Sequence, residues 1–354
     1  MTSAAVVRPE VSVFRATPAD MAGAWGRAVG ELPGSHLAHE MTWIEVIRRA
    51  YGHEPLYLGA EDDDGQVGFL PAFIVRRPML GTIVTSIPFL DAGGPCSSSP
   101  SLADALVARL IDESRAVGAR AVELRCTQPL RLGVRPMESK VTLTLSLPAD
   151  PDLLWRQLPK SIRNRVRRAT RSGLSVELGG VENLAPFYDV FAARMRDLGS
   201  PVHALAFLRA VLDGFGQRAW IALVRKDDAV VGGLVAIGFK DTLVVPWASC
   251  RKEFFSLDPN ALLYWKTLEM ACAQGFRRFD FGRSTRNSGT YHFKSHWGSR
   301  DEPLFWYTIP SSGQGGGDRP ISGRGAALLT QSWRHLPLTV TRHLGPHIRK
   351  YLTQ

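Results

Sequence analysis

The chain has 354 residues, 45% of them apolar and 21% charged, and a formal charge of +10. That length exceeds one typical domain and suits two of about 150 residues with a tail. The composition is globular, which excludes a mainly disordered or fibrous chain. The excess of base favours anionic partners (phosphorylated donors, tRNA, anionic lipids or acidic polysaccharides) without choosing among them.

Residues 1–20 show no basic stretch followed by an apolar core, so no signal peptide is expected. No apolar run approaches the roughly 20 residues of a membrane-spanning helix, and a cytoplasmic location is the expectation. Cys96, Cys126, Cys250 and Cys272 lie far apart and form no C-x-x-C pair. They are expected as buried free thiols.

In chain order, a helix through Trp43, Val46 and Ile47 stops at Tyr51-Gly52. A strand–turn–strand unit spans residues 61–73, turning at Asp64-Gly65 and carrying Val67-Gly68-Phe69-Leu70. A helix over about 101–117 and a strand over 118–124 complete the first half. An apolar strand then ends near 142–152, and the segment 160–171 holds six basic residues and no acid. The second half repeats the order. Phe187, Phe191 and Met195 keep helical spacing up to Gly199; a hairpin spans 220–239 with Val231-Gly232-Gly233-Leu234. A helix begins at Asp258-Pro259 and stops at Gly275, and a strand runs through 275–281. Both final strands read Gly-x-Arg-x-apolar-acid-apolar. The expected fold is therefore α/β (α+β), two tandem acyltransferase-type domains with mixed sheets flanked by helices, over 1–150 and 151–310. Residues 311–318 read as a flexible linker, and the tail to 354 as basic pieces broken by Pro337 and Pro346.

Several segments carry a family resemblance. In the second half they are 196–202, 245–249, 260–265, 279–285 and the specific block Gly289-Thr290-Tyr291-His292-Phe293-Lys294-Ser295-His296-Trp297-Gly298. Residues 51–53, 68–71, 86–89, 93–94 and 123–125 fit in the first half, and 336–338 and 344–346 in the tail. Together they resemble the FemAB-related proteins associated with exosortase and exopolysaccharide gene clusters, a branch of the GNAT acyltransferase superfamily, over nearly the whole chain. The resemblance implies a tandem GNAT-like fold with a cleft between or beside its domains. It also implies an acyltransferase or aminoacyltransferase that acts on an amine of a cell-envelope or exopolysaccharide precursor. Such a precursor is a small-molecule or lipid-linked anion. The donor would be aminoacyl-tRNA, as in the FemA, FemB and FemX relatives, or acyl-CoA, as assumed in the cellulose-biosynthesis-type branch. Neither is a resident cofactor. A CoA-dependent N-acyltransferase and a catalytically silent precursor-binding adaptor are the other readings.

Acyl transfer to an amine passes through a tetrahedral oxyanion, which a preorganised cation stabilises by roughly 3–4 kcal/mol. Lys294 is the candidate, in Tyr-x-Phe-Lys-x-x-Trp-Gly. The FemA-type enzymes carry a comparable lysine that touches substrate, and the other reading is a surface lysine. Asp280, at a strand end, could hold Arg283, help take the proton of the amine, or simply form a strand-end salt bridge. Tyr291 and Arg283 flank these positions, and Arg196 lies in one of the matching segments. Trp247 and Tyr264 line either the cleft or the core. Asp197 and His203 flank a turn-rich loop that could cover a substrate. Arg163, Arg167 and Arg171 fall on one helical face with Arg168 beside them, a candidate site for a substrate diphosphate or a tRNA backbone, or else a solvated face. A peripheral membrane contact is compatible with the basic tail; DNA is not an expected partner.

No phosphate loop, dinucleotide fingerprint or pyrophosphate-binding loop of CoA-dependent acetyltransferases is present. His36-Leu37-Ala38-His39-Glu40 has no third ligand nearby, so no metal is expected.

Overall fold

The computed structural model describes residues 11–17, 23, 25–311 and 324–353. In chain order the strands and helices are β1 (Val11–Arg15), α1 (Gly26–Glu31), α2 (Thr42–Tyr51), β2 (Glu54–Asp62), β3 (Val67–Arg77), β4 (Gly81–Ser86), β5 (Cys96–Ser97), α3 (Pro100–Ala116), β6 (Ala121–Cys126) and β7 (Met137–Ser146). There follow α4 (Pro151–Gln157), α5 (Lys160–Arg171), β8 (Leu174–Gly179), α6 (Leu184–Leu198), α7 (Leu205–Phe215), β9 (Ala219–Lys226), β10 (Ala229–Phe239), β11 (Thr242–Cys250), α8 (Pro259–Ala273), β12 (Arg278–Thr285), α9 (Gly289–Ser295), β13 (Arg300–Pro310), α10 (Arg324–His335) and α11 (Leu338–Arg349). No described helix is long and apolar enough to cross a membrane.

Two compact units form. The first takes the described residues of Met1–Met41, His53–Met137 and Phe305–Asp318, and the second those of Thr42–Gly52, Glu138–Leu304 and Arg319–Gln354. In the first, β3 is an almost continuous apolar run, as a strand buried on both faces must be. Its turn from β2 is held by Asp62 Oδ1, which accepts the amides of Asp64 and Gln66. Leu102, Leu106 and Leu110, one helical stripe of α3, are fully buried against this sheet.

Each unit contains three antiparallel strands, a crossover helix, and a fourth strand parallel to the third. In the first unit β2, β3 and β4 lead through α3 to β6, with Val84 opposite Val122 and Thr85 opposite Glu123. In the second, β9, β10 and β11 lead through α8 to β12, with Val244 opposite Asp280. Glu123 and Asp280 thus sit where the parallel pairing stops in each unit, but neither ends its strand as expected: β6 runs on to Cys126 and β12 to Thr285, so Gly282, Arg283 and Ser284 belong to the strand.

The sheet of the second unit carries α5 and α8 on one face, packed on Leu143, Leu234, Val245, Phe279 and Phe281. The other face carries α6. Gly233, next to Leu234, has no side chain because the ring of Phe187 lies 2.9 Å from where a Cβ would be.

The sequence order makes α2 the opening helix of the first repeat, yet it belongs to the second unit. Trp43 is fully buried 5.1 Å from the ring of Phe215, and Tyr51 stacks on Phe207 at 5.2 Å. His203, also buried, is fixed from three sides. Its Nδ1 lies 2.8 Å from Tyr51 Oη, its carbonyl accepts the Tyr188 hydroxyl, and Arg349 Nε donates to its Nε2 at 3.1 Å. A guanidinium only donates, so Nε2 is unprotonated and Nδ1–H points to Tyr51. Burial and the charge of Arg349 hold the imidazole pKa well below its usual value.

Most of the expected linker, 312–318, lies outside the described residues. Pro337 separates α10 from α11 as expected, but Pro346 sits inside α11. The preceding residue, which a proline ring normally pushes out of the helix through its Cβ, is Gly345 and has none.

Candidate active site

The ladder between β11 and β12 stops after three residue pairs, and both strands bulge where it stops. On β11, Val245 and Pro246 oppose the single Ala236 of β10; on β12, Phe281 and Gly282 oppose the single Leu143 of β7. An extra residue bends each strand away from its former neighbour. Pro246 suits the spot because it has no ladder donor to lose. Arg251 N–H donates to the Val231 carbonyl, so by alternation Ser249 and Trp247 face β10 while the main-chain groups of Ala248 and Cys250 face the gap.

Gly282 is the pivot. Its φ of +73° is left-handed, and a Cβ there would lie 2.7 Å from the Val245 carbonyl oxygen. Two candidate residues hold it. Asp280 Oδ1 accepts the Gly282 amide at 2.8 Å and the Thr142 hydroxyl at 2.5 Å. Lys294, 8% exposed, donates from Nζ to the carbonyls of Gly282 at 2.8 Å and Arg283 at 2.9 Å. The lysine is thus no surface residue: its ammonium is placed where β12 leaves β11.

The equivalent place in the first unit is closed differently. The Arg125 amide donates to Ser86 Oγ, its carbonyl accepts the amides of Gly93 and Gly94, and its buried guanidinium donates to the Leu90 carbonyl. A loop of the unit's own chain therefore occupies the edge that β4 leaves.

Aromatic rings wall the α8 side of the parting. Tyr264 lies 5.5 Å from the rings of Phe281 and Phe293, and Trp297 6.1 Å from Phe281. Tyr264 is buried, and burial raises its hydroxyl pKa. Tyr291 is half-buried against the same cluster. Two polar atoms here are buried without a partner, Ser284 Oγ and Trp297 Nε1. Ser284 opposes Val141, which puts it on the α8 face. Buried donors left unmet are costly and suggest a ligand or water. Trp297 is legible in the sequence as an aromatic flanking Lys294, whereas Ser284 is marked only by its place in a matching motif. Burial pushes the Cys250 thiol up to about 12, so beside the gap it is a protonated thiol rather than a nucleophile.

The arginines of α5 divide. Arg165 and Arg168 turn to Asp258, a buried carboxylate at the N-terminus of α8, with Arg165 Nε at 2.8 Å and Arg168 Nε at 2.6 Å. Arg168 therefore leaves the stripe in which the spacing put it. On the other flank Arg167 is exposed, with its guanidinium 5.5 Å over Trp155, and Arg163 Nε is buried without a partner. The Arg165 guanidinium lies 5.8 Å from the Phe293 ring, which brings α5 beside the helix that carries Lys294.

Lys294, Asp280 and the backbone of Arg283 thus meet at Gly282, with Tyr264 and Tyr291 in the adjoining aromatic wall. Arg196 and Trp247 lie elsewhere. Arg196 pairs with Asp197 at 3.0 Å on α6, and Trp247 packs edge-on to Phe207 at 5.6 Å on the opposite sheet face. Among the described residues no group of three or more His, Cys, Asp or Glu could hold a metal ion. A hollow of about 430 Å³ lined by Pro186, Asp189, Arg251, Glu253 and Phe254 includes none of the candidate residues.

Residues 156–295 match the family described as the acetyltransferase (GNAT) domain, a segment that runs from α4 to the end of α9 and takes in the parted strands and Lys294. No curated protein matches the sequence. Among solved structures, FemX is similar at 15% identity and a TM-score of 0.64, over 85% of this chain and 98% of that one. A tandem GNAT protein from the clavulanic acid biosynthesis pathway gives 12%, 0.56, 85% and 99%. The L-PGS of Bacillus licheniformis gives 12%, 0.55, 96% and 98%. At these identities the likeness is one of fold. Residues 156–295 thus match an acetyltransferase domain on a tandem GNAT-like fold, which supports a transferase, and such domains take their acyl group from a co-substrate.

Proposed function

We propose that the protein transfers an aminoacyl or acyl group to an amine of an anionic cell-envelope or exopolysaccharide precursor, in the cytoplasm, with the parting of β11 and β12 as the seat of the acyl group. The observation that carries this reading is the paired bulge with a buried ammonium beside it. Main-chain groups of Ala248 and Cys250 face the gap, as an acyl or aminoacyl chain would need. Lys294 sits at its inner end. In this reading the amine attacks the donor carbonyl, the C–N bond forms, and the C–O or C–S bond to the carrier breaks. The amine's proton leaves with the carrier. Lys294 faces the oxyanion as charge develops. Asp280 positions the bulge and, through it, the lysine. The protonated Cys250 fits direct transfer better than a thioester on the enzyme.

For the donor, aminoacyl-tRNA is favoured over acyl-CoA. A helix N-terminus is a ready site for a diphosphate, but that of α8 already faces the Asp258 carboxylate with two arginines bound to it. The sequence resemblance to the FemA, FemB and FemX relatives, whose donor is an aminoacyl-tRNA, supports the same choice. A CoA thioester is the second reading, supported by the matching acetyltransferase family. Thermal-shift measurements with acyl-CoAs, aminoacyl-tRNA and nucleotide-linked precursors, followed by mass spectrometry of the products, separate the two. A ligand at 100 times its Kd stabilises by about 2.7 kcal/mol. Stabilisation by acyl-CoA with acyl transfer from it would replace the first reading by the second. No stabilisation and no transfer with any donor would overturn both.

A further inference from the structure

We infer that the C-terminal helices form a docking surface for an anionic lipid bilayer. A surface helix normally turns its apolar stripe inward; α11 does the reverse. Its inner face is small and polar. Thr341 and Gly345 are buried, and a Cβ on Gly345 would come within 3.0 Å of the Val202 amide. Arg342 pairs with Asp189 at 2.8 Å, and Arg349 binds the neutral His203. Its outer face carries Leu344, Ile348 and, just past the helix, Leu352, at 44%, 41% and 37% exposure. These three lie at four-residue spacing and so form one stripe. Leu329 on α10 is exposed to 70%.

Charge says what covers the stripe. Residues 319–354 contain five arginines and one lysine and no Asp or Glu. Lys350 and Tyr351, whose ammonium and ring lie 4.8 Å apart, flank it as interfacial residues do. A second copy of the chain would set the same acid-free segment against itself, with like charges facing across the twofold. An anionic headgroup layer accepts the cations while its acyl boundary takes the leucines. The polar bonds on the inner face hold the helix in place before any lipid is met. Docking here would bring the enzyme to acceptors that are themselves lipid-linked, although the inference does not depend on the acceptor's identity.

The test is sedimentation of the full chain with vesicles of phosphatidylcholine and phosphatidylglycerol in equal parts, against pure phosphatidylcholine. Binding is expected to the anionic vesicles only and to weaken with added salt. The double substitution Leu344→Glu, Ile348→Glu should lower it by at least tenfold, and Lys350→Glu by a smaller factor. Leu344 and Ile348 are exposed and Lys350 is half-buried, so the thermal midpoint of the double variant should stay that of the parent chain, which separates lost docking from lost folding. Failure of the parent chain to pellet with anionic vesicles would overturn the inference. So would equal pelleting of the double variant. Light scattering of the free protein supplies the other outcome. A concentration-dependent dimer that Leu344→Glu abolishes would assign the stripe to self-association and overturn the lipid reading.

Discussion

Replacing Lys294 by Met tests both what the lysine holds and what it does. The thioether keeps the stem but leaves the carbonyls of Gly282 and Arg283 without their donor, at a site where the residue is 8% exposed. A hydrogen bond to a charged group contributes about 1.5–3 kcal/mol, so two set a gross loss of about 3–6 kcal/mol. Removing the ammonium also removes the desolvation cost of burying it, which leaves a net loss of about 2–4 kcal/mol. At about 2–4 °C per kcal/mol for a chain of this size, the melting temperature should fall by about 5–15 °C. Turnover, measured well below the melt, should fall about 100-fold with KM nearly unchanged, because the interaction strengthens only as the oxyanion forms. Lys294→Arg should rescue poorly, since a planar fork cannot place one compact donor between the two carbonyls. Calorimetry and steady-state kinetics read the two effects separately. A midpoint within about 1 °C of the parent would refute the structural half. A raised KM with intact kcat would make the lysine an anchor and refute the catalytic half.

Gly282→Ala should cost about 2–4 kcal/mol, since it adds left-handed strain of about 1–3 kcal/mol to a Cβ pressed on the Val245 carbonyl; urea unfolding measures it. His203 has a depressed folded pKa, so its contribution is complete above the unfolded value near 6.5 and is lost as the pH falls toward the folded value. The free energy of urea unfolding should therefore drop between pH 7 and pH 5, by up to about 1.4 kcal/mol per pH unit below 6.5, and His203→Gln should flatten that dependence. Arg163→Ala with Arg167→Ala should weaken binding of a nucleotide-linked precursor and reduce its salt dependence, with little change in melting. Calorimetric titration at two ionic strengths would show it, and unchanged affinity would return that flank of α5 to plain surface.

Much of the architecture is legible in the residues. Gly199, Gly275 and Asp258-Pro259 mark helix ends, Asp64-Gly65 marks a turn, and the matching Val-Gly-x-Leu strands show the repeat. These are local signals, set by φ preference and capping. What a line of residues cannot carry is the choice between two acceptable partners far apart in the chain. Arg168 lies beside the Arg163 stripe by spacing, but Asp258, 90 residues on, takes it. The paired bulge was equally hidden, because an extra residue in a strand is visible only against the strand it opposes. Lys294 stood out by motif alone, and its two carbonyl partners could not be named without the fold.

The membership of α2 in the second unit bears on how the protein is made. Chains emerge from the ribosome at about 5–20 residues per second. Tyr51 emerges some 150 residues ahead of α7, so the helix waits about 8–30 s for the surface it will cover. Through that interval Trp43, Val46 and Ile47, all buried in the finished protein, have no permanent place. Synthesis therefore passes through a stage in which an early helix is ready and its socket does not yet exist. A chain begun at Glu138 would meet the opposite problem, a socket around Phe207 and Phe215 with nothing to fill it.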